Sequence, residues 1–180
     1  MRFVFDTSVL IAYLRDDRPG DQEVAADALA IASRRGKVLV SMISLMELYL
    51  PQRKGLDEEA CINNADEAIL KEHKSRTKSK RELEYELRRI QALCKSYSVS
   101  FISCSNRAQE RALEILKHYR SPLGGNALTD SLIIGSGLAW QAYLVTTDKK
   151  WSDIAKENQD RSLPLPSIRI ISPTELVQRF

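Results

Sequence analysis

NALTDSLIIGSGLAWQAYLVTTDKKW, residues Asn126 to Trp151, is the stretch from which the rest of the chain can be read. Leu128, Ser131, Leu132, Gly135, Leu138 and Ala139 recur at helical spacing with no proline among them, which predicts a helix carrying Asp130 near its start. Tyr143-Leu144-Val145 then predicts a short buried strand, and the run turns polar at Thr146-Thr147-Asp148. One carboxylate opens the helix and another leaves the strand. Phe3-Val4-Phe5-Asp6, at the other end of the sequence, is a second strand that ends in an acid.

The elements between follow the same alternation. Val9 to Leu14 predicts a helix capped from Asp6-Thr7-Ser8, and Asp16 to Gly20 a loop. Asp21 to Arg35 predicts an amphipathic helix with Val24, Ala28, Leu29 and Ile31 inward, stopped by Gly36. Val38 to Val40 predicts a strand, and Ser44 a helix start that Pro51 ends or kinks. Val99 to Ile102 predicts a third strand. Asn106 to Tyr119 predicts a helix burying Ala108, Leu113, Ile115 and Leu116, followed by a loop over Ser121 to Asn126. A short helix from Trp151, a strand over Ile168 to Ile171 and a helix opening at Pro173 complete the chain. Five strands separated by helices predict one α/β domain over 1–180 with a mainly parallel sheet.

Residues 56–97 read differently, as a helical hairpin standing partly away from the sheet. Leu83, Leu87, Ile90, Cys94 and Tyr97 form a seam at steps of four and three, predicted to pack on Leu56 to Ile69. The join Glu72 to Lys80 is wholly polar. Lys71 to Arg89 holds eight basic and four acidic residues, so the net charge of +3 is one local patch on an otherwise neutral chain. Such a patch suits a polyanionic partner or a solvated helix face.

Composition narrows the class. A hydrophobic share of 43% and a charged share of 28% are those of a globular protein. No apolar run approaches the ~20 residues that cross a membrane. Nothing resembles a secretion signal, so a cytoplasmic location is expected. Cys61, Cys94 and Cys104 lack C-x-x-C pairing, which speaks against a zinc site or a disulfide framework. His73 and His118 offer no nucleophile–histidine–acid triad. Gly124-Gly125 lacks the GK[ST] of a phosphate loop. Asp6 has no second aspartate two residues on, as a phosphoaspartate enzyme would carry. Strand three ends in Ser103-Cys104, not in the acid of a receiver domain.

Asp6 and Asp148 fall just past strand ends, and Asp130 and Glu47 near helix starts that face the same edge of the sheet. In an open parallel sheet, ligands sit beyond the carboxyl ends of the strands where strand order reverses. Four acids then share one rim if the first and fourth strands are neighbours. Each also has a local reading: Asp6 and Asp148 as caps, Asp130 favoured by a helix dipole, Glu47 completing a capping box with Ser44, Asp153 on an exposed helix face. Together they repel unless a cation compensates. Mg²⁺ or Mn²⁺ is the natural one, and metal-dependent phosphodiester hydrolysis the reaction class that follows.

Phe5-Asp6-Thr7-Ser8, Ser44-x-x-Glu47, Asp130-Ser131-Leu132-Ile133-Ile134 and Leu144-Val145-Thr146-Thr147-Asp148 followed by Trp151 resemble, in this order, the PIN-domain family and its VapC-like toxin branch. The likeness covers both ends of the chain and hardly touches 56–97. It implies a three-layer α/β/α fold with strand order 3-2-1-4-5 and Mg²⁺- or Mn²⁺-dependent endoribonuclease chemistry. Asp6, Glu47, Asp130 and Asp148 become the metal-binding and catalytic acids, supported by the hydroxyls of Thr7, Ser8 and Thr146. It also implies a homodimer and a small antitoxin partner. A housekeeping RNA-processing nuclease, or a non-catalytic RNA- or protein-binding PIN domain, are the alternatives.

Overall fold

A computed structural model describes residues 1–14, 18–49, 80–123, 127–160 and 169–180. The chain runs β1 (Arg2–Phe5), α1 (Thr7–Leu14), α2 (Pro19–Arg35), β2 (Lys37–Ser41), α3 (Met42–Tyr49) and α4 (Lys80–Tyr97). It continues with β3 (Ser100–Ile102), α5 (Asn106–Leu123), α6 (Ala127–Ala139), β4 (Tyr143–Val145), α7 (Lys149–Asp160), β5 (Arg169–Ile171) and α8 (Pro173–Arg179). The sheet order is β3-β2-β1-β4-β5, and every pairing is parallel. The expected strand order therefore holds, and the sheet is wholly, not mainly, parallel.

Strand residues alternate between two cores because successive side chains leave a strand on opposite faces. Phe3, Phe5, Val38, Val40 and Val145 pack with α1, α2, α4 and α8. Val4, Leu39, Leu144 and Ile102 pack with α5, α6 and α7. The result is a three-layer α/β/α molecule. Phe3, Val4 and Phe5 are all fully buried, which is why β1 reads as an unbroken apolar run. Each such side chain contributes about 2–3 kcal/mol by leaving water.

Several local expectations are corrected. Pro19 and Gly20 belong to the first turn of α2 and not to a loop, with proline at a position where its missing N–H costs nothing. Ser121 to Leu123 continue α5 past a kink at Tyr119 (φ −127°, ψ 15°); Gly124 to Asn126 lie outside the described residues. Leu113 and Leu128, expected inward, are exposed. Ala112 is buried in α5 instead. In α6, every residue from Ile133 to Leu138 is buried. Its glycines permit this: a Cβ on Gly135 would meet the backbone oxygen of Ala108 at 2.4 Å, so α5 and α6 touch backbone to backbone.

The seam of α4 packs onto the main domain. Ile90, Leu93 and Cys94 join the core beside Leu10, Leu45 and Leu48. Tyr97 meets Tyr13 edge to face, and Arg89 donates to the carbonyl of Leu14 at 2.6 Å. Leu56 to Ile69, the expected partner of that seam, and most of the polar join lie outside the described residues.

Candidate active site

β1 and β4 are neighbours, with Phe5 in register with Val145. The chain winds from β1 outward to β2 and β3 on one side and returns to β4 and β5 on the other. The crevice where strand order reverses therefore opens between the carboxyl ends of β1 and β4. Asp6 sits in it, its backbone N–H extending the ladder to Val145 O (2.9 Å).

Asp6 is 5% exposed. One carboxylate oxygen, Oδ1, accepts from the Thr7 N–H at 2.7 Å. The other, Oδ2, accepts from Ser8 Oγ at 2.6 Å and from Thr146 Oγ1 at 2.8 Å. These donors favour the charged form, yet burial outweighs them and moves the Asp6 pKa up from its ordinary value. Thr146 Oγ1 also accepts from the Asp148 N–H at 3.0 Å, and Ser8 Oγ from the Thr147 N–H at 3.1 Å. Two hydroxyls thus pin the turn after β4 to the turn after β1. The three expected supporting residues, Thr7, Ser8 and Thr146, all touch the acids or one another.

Thr7 Oγ1 donates to Glu47 Oε2. Glu47 lies in the last turn of α3, not at a helix start, because α3 begins at Met42. Ser44 is consequently mid-helix, and its buried hydroxyl has no hydrogen-bond partner; the capping-box reading of Ser44 and Glu47 fails. Ser41 takes the turn role, accepting from the Ile43 N–H at 3.2 Å. The Glu47 pKa is raised by burial first and then by the charge of Asp6.

Asp130 stands in the first turn of α6. Its carboxyl is pushed up to about 7, first by burial, then by Asp6, Glu47 and Asp148 in turn, with Lys150 opposing. All three other acids are therefore within electrostatic reach of Asp130, and the four share one rim. Asp148 also caps α7, accepting from the Lys150 N–H at 2.9 Å. The cap reading of Asp148 holds, and its charge also reaches Asp130. Asp153 is exposed, on the outer face of α7. Sequence reasoning passed over Lys150, a cation two residues past Asp148, whose charge lowers the pKa of Asp130. It also passed over Ser131, whose buried hydroxyl beside Asp130 lacks a partner, as does that of Ser44.

Among the described residues, no three His, Cys, Asp or Glu side chains are arranged to hold a metal ion by themselves. The donor set nevertheless fits a hard cation, which typically takes one or two protein carboxylates and completes its shell with water and substrate phosphate.

The PIN domain family model matches residues 3–157, from β1 into α7. The chain belongs to the PIN domain family. No curated protein sequence matches it. The fold is shared with solved structures at low identity. VapBC2 from Rickettsia felis, bound to a DNA fragment from its promoter, matches with a TM-score of 0.57 at 17% identity, covering 96% of this chain and 98% of that one. VapBC-1 from nontypeable Haemophilus influenzae matches at 0.53 and 16%, covering 97% and 99%. FitAcB from Neisseria gonorrhoeae matches at 0.52 and 15%, covering 96% and 98%. The family model's match ends within α7, before β5 and α8, and β5 completes the sheet at the edge beside β4. Among the described residues, no helix is long and apolar enough to cross a membrane.

Proposed function

We propose that this PIN domain is a divalent-metal-dependent endoribonuclease and the toxin of a type II toxin–antitoxin pair. The observation that carries the chemistry is the shared rim of Asp6, Glu47, Asp130 and Asp148, where burial first and the neighbouring acids second push the Asp130 pKa up to about 7. An acidic crevice repels a phosphodiester, so it acts on one only with cations between them. Asp6, Glu47, Asp130 and Asp148 would hold Mg²⁺ or Mn²⁺, which supplies Lewis-acid activation of water and charge neutralisation at the phosphate. The chain's own contribution is positional. Thr7 fixes Glu47, Ser8 and Thr146 fix Asp6, and Asp130, in the first turn of α6, accepts the proton of the attacking water at a carboxylate oxygen. A water–phosphorus bond forms and the bond to the leaving ribose oxygen breaks.

The toxin role rests on the likeness to VapBC complexes. It carries with it a small antitoxin partner, a homodimer and a cytoplasmic site of action. Retention of all four acids speaks against a purely binding PIN domain, which has no need of them. Purified protein is incubated with mixed structured RNA in Mn²⁺ or EDTA, beside Asp6→Asn. Cutting is expected only for wild type with Mn²⁺. Equal cutting by the mutant would remove Asp6 from the site. For the toxin role, induced expression should arrest growth, and Asp6→Asn should relieve the arrest.

A further inference from the structure

Next to the acidic rim lies a cavity of about 440 Å³ that the four acids do not line. Ser8 and Thr147 form the wall shared with the catalytic crevice, and Ser8 Oγ is one hydrogen bond from Asp6 Oδ2. The apolar walls are Ile11 and Ala12 from α1, Val24 and Ala25 from α2, and Pro173 from α8. At the mouth stand Arg18 and Asp21, three residues apart, 3.9 Å from each other and about 60% exposed. An exposed pair at that distance is weakly bound and free to exchange partners. The α8 wall lies outside the stretch that the family model matches.

We propose that this cavity binds a guanine base of the RNA strand, one nucleotide away from the phosphate at the acids. The inference rests on the ribonuclease reading for its orientation, but the binding itself needs only the cavity. A volume of this size holds a single nucleobase with its ribose, within the range of small-molecule sites. Single-stranded RNA is recognised through splayed-out bases packed on side chains and hydrogen-bonded along an edge. The guanine edge presents two adjacent donors, N1–H and N2–H, and an acceptor at O6. A carboxylate takes both donors, and a guanidinium serves O6 and N7. Asp21 and Arg18 supply that set; adenine, cytosine and uracil each lack one half of it.

The probes are the four nucleoside 5′-monophosphates, titrated into the full chain by NMR in Mg²⁺ and again in EDTA. GMP is expected to bind at least about tenfold more tightly than UMP or CMP in both buffers. Asp21→Asn, at an exposed position, should erase that preference. Val24→Phe should weaken all four nucleotides by filling the cavity. Asp130→Asn should keep the preference while losing cleavage. Equal affinity for the four nucleotides, a preference unchanged in Asp21→Asn, or displacement of GMP by inorganic phosphate alone would overturn the assignment. So would an arginine-containing peptide that shifts the same resonances when no nucleotide does, which would give the cavity to a protein partner. If GMP preference holds but wild type cuts no RNA with Mn²⁺, the nuclease reading falls and the base site stands.

Discussion

Thr146 serves two acids through one hydroxyl, giving its proton to Asp6 Oδ2 and accepting from the Asp148 N–H. Thr146→Val keeps the shape and removes both interactions. A buried carboxylate then loses one donor, which costs about 1–3 kcal/mol. Partners that orient metal-holding carboxylates typically matter 10–100-fold in affinity or activity. We expect Mn²⁺-dependent cleavage to fall by about that factor while the protein remains folded, read by single-turnover kinetics beside circular dichroism. Asp130 gives a prediction of opposite sign for stability. Its carboxyl moves from an ordinary 3.8 to about 7. Below 3.8 both folded and unfolded chains hold the proton; between 3.8 and 7 only the folded chain does. The favourable contribution is full at the acid end and is lost as pH rises through 7. Without metal, Asp130→Asn should therefore stabilise the protein at pH 8 by on the order of 1 kcal/mol after solvent screening, read as a higher melting temperature, and gain nothing at pH 4. A mutant equally stabilised at both pH values would show that ionisation of Asp130 is not the cause.

Among the elements, the contact of α5 with α6 has the least room. A Cβ on Gly135 meets backbone of Ala108 at 2.4 Å and of Ala112 at 2.9 Å, whereas one on Gly137 meets only the Leu144 side chain, at 2.5 Å. Alanine gains about 1 kcal/mol over glycine in a helix interior, so the two substitutions separate propensity from packing. Gly135→Ala should destabilise by about 2 kcal/mol or more, since backbone must move. Gly137→Ala should cost clearly less, because a leucine tip can give way. Urea unfolding of the two variants makes the comparison. Periodicity exposed α6 as a helix and placed Asp130 in its first turn, but it could not show which neighbour covers each face. Leu128 shares the apolar spacing of the buried residues and still faces solvent. Two of the S-x-x-E patterns make the same point. Ser172 and Glu175 form a true capping box, with Pro173 fixing the helix start. Ser44 and Glu47 do not, because β2 passes straight into α3 at Met42. Local sequence reveals a possible cap; the preceding element decides whether it is used.

At the scale of the whole molecule, the sheet order makes one site out of four distant acids, and that order could be anticipated only through the family likeness. The acids themselves were legible because each follows a strand or sits on a helix facing the carboxyl edge. The cavity beside Ser8 was not, since its walls come from α1, α2, the turn after β4 and α8. Four like-charged acids on one rim predict a metal-linked gain in stability. A ligand that binds only the folded state at a hundred times its dissociation constant adds about 2.7 kcal/mol. Mn²⁺ should raise the melting temperature more at pH 8 than at pH 6, because below 7 the proton on Asp130 competes with the metal. EDTA should reverse the gain. A metal effect independent of pH would place the ion away from Asp130.

The central position of β1, between strands made long before and long after one another, has a consequence for the living cell. Asp6 and Glu47 leave the ribosome early, whereas Asp130 and Asp148 follow only after β3 and α5. At about 5–20 residues per second, roughly seven to thirty seconds separate the first acid from the last. β1 cannot gain its β4 neighbour, nor Asp6 its Thr146 donor, until that interval has passed. A nascent chain surrounded by ribosomal RNA thus carries only half of the acidic site, and the second half arrives with the turn after β4, late in synthesis.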